Sequence, residues 1–256
     1  MKIVTWNVNS IRRREAVVLD WLQANAPDVL LLQETKVTDA DFPRAGFESA
    51  GWHLALHGQV GGRNGVAILA RSPIDAVTRG LPGEPDDEQA RYIEGRVAGM
   101  RVASIYVPNG TRVDSDNFAY KLRFYNRLMA YMELALESDR PLVLGGDYNV
   151  APEPIDVYDP KACEGGICYH PAERHALRGL VHAGLYDAVR AVAPTRRQFT
   201  WWDLRGGAWE RDEGMRIDFL LLSAPALDRL KNADADPGTR AGKGISDHIP
   251  VWCELA

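Results

Sequence analysis

The run Val29-Leu30-Leu31-Leu32, opened by Asp28 and closed by Gln33-Glu34, is apolar on both of its alternating faces. Successive side chains of a strand point to opposite sides, so such a run requires a sheet covered on both faces. Pro141-Leu142-Val143-Leu144 makes the same demand. Further strand patterns cover residues 2–7, 53–57, 65–70, 92–97, 102–107, 198–202, 216–222 and 249–255. Helical spacing is rarer. It covers residues 13–25, where Val17, Val18, Trp21 and Leu22 share a face, and residues 117–136, where Asp116 is the expected N-cap. A short helix with Pro near its start is expected over 171–180. No linker, fixed-period repeat or low-complexity segment divides the 256 residues. The expectation is one α/β domain over 1–256, with two sheets packed face to face and helices outside.

Polar residues recur where these apolar runs end. Asn7 closes the first and Glu34 the second, and Tyr106 and Asn109 follow a third. Asp147 and Asn149 follow Gly145-Gly146, Asp218 sits within another strand pattern, and Asp247-His248 precede the last. Singly, each has a plain structural reading: a turn former, a buried acid, a loop histidine, or an Asx turn at 145–149. Together, at one sheet rim, they are the makings of a site. Asp147 can accept a proton and Asn149 can orient a water, and the period of two aims both the same way. The paired glycines are expected to let the backbone turn sharply and leave room for approach.

Hard oxygen donors without cysteine suit Mg²⁺ or Mn²⁺, which engage substrate phosphates. Ser246 and His248 lack the setting of a nucleophile elbow, leaving water as the nucleophile and metal-assisted hydrolysis of a phosphate ester as the chemistry. A formal net charge of −5 excludes a simple electrostatic nucleic-acid binder, so any such role needs a local basic face. Three cysteines in no framework spacing suit a reducing compartment. Cys163 and Cys168 near His170 fall short of four zinc ligands, leaving a metal clip or free thiols open. The N-terminal residues lack a signal-peptide core and no run is long enough for a bilayer span, so a cytoplasmic protein without membrane contact is expected.

Seven blocks occur in one order: Trp6-Asn7-Val8-Asn9, Leu32-Gln33-Glu34-Thr35-Lys36, Asn64-Gly65-Val66-Ala67, Tyr106-Val107-Pro108-Asn109-Gly110, Gly146-Asp147-Tyr148-Asn149, Arg216-Ile217-Asp218 and Ser246-Asp247-His248. The series resembles the exonuclease III family of abasic-site endonucleases, within the endonuclease/exonuclease/phosphatase superfamily. Glu34 and Ser-Asp-His are shared across that superfamily, whereas the Gln-Glu-Thr-Lys, Tyr-Val-Pro-Asn and Arg-Ile-Asp blocks are particular to its DNA-repair branch. The resemblance implies a four-layer αββα sandwich of two mixed sheets flanked by helices. It implies Glu34 as principal Mg²⁺ ligand, with Asn7 nearby and Asp247 contributing. Asp147 is similar to the family acid that activates water and Asn149 to the amide that holds it. His248 paired with Asp218 looks like the charge-stabilising dyad, and Tyr106 would contact the phosphate or assist the leaving group.

The implied activity is Mg²⁺-dependent cleavage of duplex DNA 5′ to abasic sites, with 3′→5′ exonuclease and 3′-end cleaning, by a monomer. A superfamily phosphatase acting on lipid or inositol phosphates is the alternative. Trp201, Met215 and Ile217 match positions where the family lines a pocket for a base-less sugar, although three core residues would read the same way. Asn109, Arg63 and Arg112 are expected substrate contacts, with Lys121, Arg196, Arg197, Arg205 and Arg211 further candidates for phosphates. Arg12-Arg13-Arg14 reads either as a solvated face or as a phosphate clamp. Asn9 stands where some relatives carry Asp, and the segment 156–170 matches none of these blocks.

Overall fold

The computed structural model describes residues 1–241 and 244–256. Its strands are β1 Lys2–Asn7, β2 Val29–Gln33, β3 His53–His57, β4 Val66–Ala70, β5 Ile74–Arg79, β6 Tyr92–Val97 and β7 Met100–Tyr106. They continue as β8 Leu142–Asp147, β9 Leu185–Asp187, β10 Trp201–Trp202, β11 Gly214–Met215, β12 Asp218–Ser223, β13 Leu230–Ala235 and β14 Val251–Leu255. The helices are α1 Ile11–Asn25, α2 Arg44–Ser49, α3 Asp116–Leu136, α4 Pro160–Cys163, α5 Pro171–His182, α6 Ala188–Val192 and α7 Ala224–Leu227.

Two six-stranded mixed sheets form, in the orders β13-β14-β1-β2-β4-β3 and β5-β6-β7-β8-β12-β9. Each is built around one parallel pair, β1 with β2 and β7 with β8. An antiparallel strand flanks each pair: β14 runs against β1, and β12 runs against β8. The same local pattern in both sheets places the ends of β1, β2, β7 and β8 beside the starts of β12 and β14.

The continuous apolar runs behave as their composition requires. Val29 and Leu31 enter the layer between the sheets with Ile68, Val102, Val143 and Leu220. Leu30 and Leu32 face outward under Val18, Trp21 and Leu22 of α1. On the other sheet, Leu144, Phe219 and Leu221 lie under Phe124, Leu128 and Met132 of α3 and Leu180 of α5. This gives helix, sheet, sheet and helix in four layers.

Gly145 and Gly146 are not turn residues: both lie inside β8. A Cβ on Gly145 would stand 2.6 Å from Leu31 Cδ1 and 2.8 Å from Leu220 Cδ2, and one on Gly146 would stand 2.0 Å from Ile105 O. Close packing explains the pair, so the expected sharp turn is corrected. The N-cap of α3 is Ser115, whose hydroxyl accepts from the Phe118 N–H, and not Asp116. The strand expected over 198–202 shrinks to two residues, because Thr200 uses its hydroxyl to tie Ile217 and Asp218. Strands β5, β9 and β13 escaped the sequence pattern. They are edge strands or short ones, with mixed burial in place of a clear alternation.

Candidate active site

Asp147, the last residue of β8, stands opposite Tyr106 of β7 and Asp218 of β12. Asn7 at the end of β1 lies beside Gln33 of β2, so Glu34 follows directly at the rim. The Ser246-Asp247-His248 loop is fastened across this rim. Ser246 Oγ donates to Asn7 O at 2.6 Å, and Trp6 Nε1 donates to His248 O at 3.1 Å. Glu34, Tyr106, Asn109, Asp147, Asn149 and His248 thereby line one pocket of about 260 Å³. Trp201, Ile217, Asp247 and Cys168 complete its wall.

The backbone is strained at this rim. Glu34 and Asn149 adopt φ of 52° and 51°, and Asn9 and Lys36 adopt 44° and 56°. Such left-handed non-glycine residues cost on the order of 1–3 kcal/mol each and persist where surrounding contacts over-determine them. At Asn149 those contacts are visible. Its N–H donates to Asp147 Oδ1 at 2.9 Å, its Nδ2 donates to Val107 O at 3.0 Å, and its Oδ1 accepts from Asn109 Nδ2 at 2.9 Å. The Asx-turn reading and the functional reading of this stretch are the same geometry.

Asn7 Nδ2 donates to both Glu34 Oε1 and Asp147 Oδ2 at 2.9 Å, while its Oδ1 accepts from the Asn9 N–H at 3.0 Å. It presents donors, not an oxygen, to the carboxylates, so Asn7 is placed as a brace between two acids and not as a cation ligand. Lys36 Nζ lies 2.6 Å from Glu34 Oε2 and donates to Asn9 Oδ1 at 2.5 Å. Asn9 Nδ2 in turn donates to Asp247 Oδ1 at 2.9 Å, and Trp201 Nε1 donates to Asp247 Oδ2 at 3.1 Å. An aspartate at position 9 could not make that donation.

His248 Nδ1 sits 2.9 Å from Asp218 Oδ2, and its Nε2 faces Asp147 Oδ2 at 3.7 Å. Thr200 Oγ1 donates to Asp218 at 2.6 Å and keeps that carboxylate aimed. Burial would lower the imidazole's proton affinity, but Asp218 and Asp147 outweigh it and push His248 up to about 10. Burial, with Asp218 and Glu34 adding to it, pushes Asp147 up to about 7 against the pull of His248. Partial burial would raise Glu34 as well, yet Lys36 and Asn7 hold it below the usual range. Asp247 is held low against its own burial by His248, Asn9 and Trp201. Burial, then Glu34 and Asp147, raise Tyr106 well above its ordinary value; Arg91, stacked 4.7 Å from its ring, opposes this.

Four carboxylates, Glu34, Asp147, Asp218 and Asp247, gather at this rim, with Lys36 beside Glu34 and His248 beside Asp218 and Asp147. Hard oxygen donors of this kind fit a divalent cation. Glu34, Asp147 and His248 each bring a ligand-type atom within 4.8 Å of the others. His248 is turned towards its charged form by Asp218, which leaves the two carboxylates as the fitting ligands. The clip of Cys163, Cys168 and His170 is not assembled. Both thiols are free and buried, and His170 Nδ1 accepts from the Ala172 N–H at the start of α5.

Arg63 and Arg112 are exposed outside the pocket, and Met215 packs with Trp201 and Ile217 without lining the pocket itself. Arg196, Arg205 and Arg211 are engaged by Asp234, Asp203 and Glu213, and Arg197 donates to Tyr158 O. Arg12 and Arg13 are exposed, whereas Arg14 is buried and donates to the carbonyls of Asn9 and Ile245. Lys121 corrects the sequence reading outright, because it is wholly buried against Glu173 and cannot reach a phosphate. Lys36 and Thr200 were given no role from the sequence, and Cys168 was read as part of a metal clip or as a free thiol and not as a wall of this pocket; Lys36 carried a signal, two residues from Glu34. A larger cavity of about 460 Å³ lies between α5, α6 and β9, where Arg216 and Arg190 are neutralised by Asp156 and Asp187.

Residues 4–248 match the Endonuclease/Exonuclease/phosphatase family. The chain is 32% identical to exodeoxyribonuclease III of Haemophilus influenzae, covering 100% of both sequences. It superposes on an AP endonuclease structure from Archaeoglobus fulgidus with a TM-score of 0.95 and 40% identity, covering 100% of this chain and 99% of that one. A 3′ phosphatase from Neisseria, bound to a product DNA hairpin, gives 0.97 and 40% over the same shares. The chain therefore belongs to the endonuclease/exonuclease/phosphatase family, among its exonuclease III and AP-endonuclease homologues.

Proposed function

We propose that this chain is a divalent-cation-dependent DNA repair nuclease that cuts duplex DNA 5′ to abasic sites and clears nucleotides or blocking groups from 3′ ends. The observation that carries the reading is His248, fixed on Asp218 by Nδ1 at 2.9 Å and facing Asp147 with Nε2 at 3.7 Å, in the pocket that holds Glu34. Phosphodiester hydrolysis gathers negative charge on the equatorial and leaving oxygens. A pre-aimed imidazolium meets that charge without reorganising. Asp147 takes the water's proton or aims its lone pair. Asn149, with Oδ1 and one N–H engaged, keeps a second N–H for the water or a phosphate oxygen. Tyr106, held protonated, offers an O–H to the phosphate.

Glu34 would hold Mg²⁺ or Mn²⁺ together with an Asp147 oxygen. When bound, the cation supplies Lewis-acid neutralisation of the phosphoryl oxygens. Trp201, Ile217 and Cys168, packed with Met215, form an apolar wall suited to a base-less sugar and too confined for an intact nucleotide. Asn109 at the pocket and the exposed Arg63 and Arg112 would contact the flanking backbone. The full-length relatives named above are DNA enzymes, which favours this reading over lipid or inositol phosphates.

The test is a duplex with one tetrahydrofuran abasic analogue, incubated with Mg²⁺ or with EDTA. Incision immediately 5′ to the analogue only with metal is expected. No incision, beside turnover of an inositol phosphate, would overturn the proposal.

A further inference from the structure

Lys121 is a charged side chain with no exposure at all, and it touches nothing in solvent. An ammonium has three donors, and here all three are used. Nζ donates to Asn149 O at 2.7 Å, to Asn109 O at 3.1 Å and to Glu173 Oε1. Glu173 is equally buried, and its other oxygen accepts from the His170 N–H at 3.0 Å, at the first turn of α5. One cation thus binds the main-chain carbonyls of two loops, 109–110 and 149–150, and anchors both to the N-terminus of a third element. Close approach is allowed by Gly110, where a Cβ would stand 3.3 Å from Lys121 Cδ.

The consequence lies on the opposite side of the same peptides. With both carbonyls turned inward to the ammonium, the side chains of Asn109 and Asn149 face the pocket and meet at 2.9 Å. To the contacts that hold Asn149 in its left-handed backbone, the ammonium adds a buried partner for its carbonyl. We infer that the Lys121–Glu173 pair is a positioning device: it sets the geometry of the Asn109–Asn149 couple for the reaction and never contacts substrate. The inference rests on the nuclease reading for its kinetic test, and on geometry alone for its spectroscopic one.

The variant is Lys121→Met/Glu173→Gln, which removes both charges together and leaves an acceptor for His170. Three readouts are taken: thermal unfolding, kcat and KM separately on the abasic duplex with Mg²⁺, and amide hydrogen exchange at 109–111 and 149–150. Expected are a cooperative transition, KM within about threefold of wild type, kcat lower by about 100-fold, and exchange at those amides at least about tenfold faster. Adding Asn149→Ala should cost little more, because the pair acts through Asn149. Losses that multiply, or a folded double variant with kcat and exchange near wild type, overturn the inference. If the double variant does not fold, Glu173→Asp replaces it. That change draws the ammonium back by one methylene and should lower kcat about tenfold with an intact transition; unchanged kcat and exchange again overturn it. A wild-type protein without metal-dependent incision would sink the nuclease reading, whereas the exchange comparison would still decide the positioning device.

Discussion

Gly145→Ala is the substitution whose outcome the packing defines most closely. The added methyl would stand 2.6 Å from Leu31 Cδ1, 2.8 Å from Leu220 Cδ2 and 3.2 Å from Thr5 Cβ, in the layer between the sheets. Gly145 does not have positive φ, so the backbone itself accepts alanine and the cost comes from overpacking alone. Such overpacking typically costs about 1–3 kcal/mol. At about 2–4 °C per kcal/mol for a chain of this size, the melting temperature should fall by about 2–12 °C. Gly145 and Asp147 share a face of β8, two residues apart, so the strand displaced at one carries the carboxylate of the other. Sub-ångström misplacement of Asp147 against Glu34 and His248 should lower kcat by about ten- to hundredfold. Leu31→Ala alone should destabilise by about 2–5 kcal/mol through its cavity. In Leu31→Ala/Gly145→Ala the new methyl enters that cavity, and the double variant should be more stable than the two losses added, by about 1–2 kcal/mol. Urea unfolding of the four proteins closes the cycle, with kcat on the abasic duplex measured in parallel. Strict additivity, with kcat of the Gly145→Ala protein unchanged, would refute the packing account and return the glycine to a conformational role.

Asp147→Asn should lower incision by at least about a thousandfold while duplex binding, followed by fluorescence anisotropy in EDTA, survives; an unchanged rate removes Asp147 from the mechanism. Glu34→Gln should raise the Mg²⁺ concentration for half-maximal incision by about tenfold or more, read from a metal titration at saturating DNA. Arg216 lies buried between Asp156 and Asp187, with Nε 2.7 Å from the first and NH1 2.5 Å from the second. Arg216→Met should strand both acids and cost about 3–5 kcal/mol in urea unfolding, loosening Met215 and Ile217 beside it. Trp201→Ala should raise KM for the abasic duplex more than it lowers kcat, since its indole both walls the pocket and donates to Asp247; a pure kcat effect would assign it to chemistry.

The runs 29–32 and 141–144 already imposed a doubly covered sheet, because no other environment hides both faces of such runs. The ordered blocks at strand ends likewise marked Glu34, Tyr106, Asp147, Asn149, Asp218 and His248 as one site, and the fold gathers all of them within or directly behind a single pocket. Edge strands β5 and β13 were illegible, since half-solvated strands need no apolar alternation. The segment 156–170 was illegible for a different reason: its meaning lies in distant partners. Asp156 meets Arg190 and Arg216, Cys168 closes the pocket wall, and His170 caps α5.

Local chemistry is what the amino-acid order determined by itself: which runs must be buried, which side chains can hold a cation or move a proton, and in what sequence they occur. The direction each polar group faces was decided only by the packed sheets. Lys121 reads as a phosphate contact and is a buried clasp, Asn7 reads as standing by the cation and braces two acids, and Gly145-Gly146 reads as a turn and is a gap left for Leu31, Leu220 and Ile105. The physical reason is the same in each case. A charge, an amide or a missing side chain takes its role from the partners that desolvate it, and here those partners lie from 12 residues away, as Asn109 does from Lys121, to 140, as Asp147 does from Asn7.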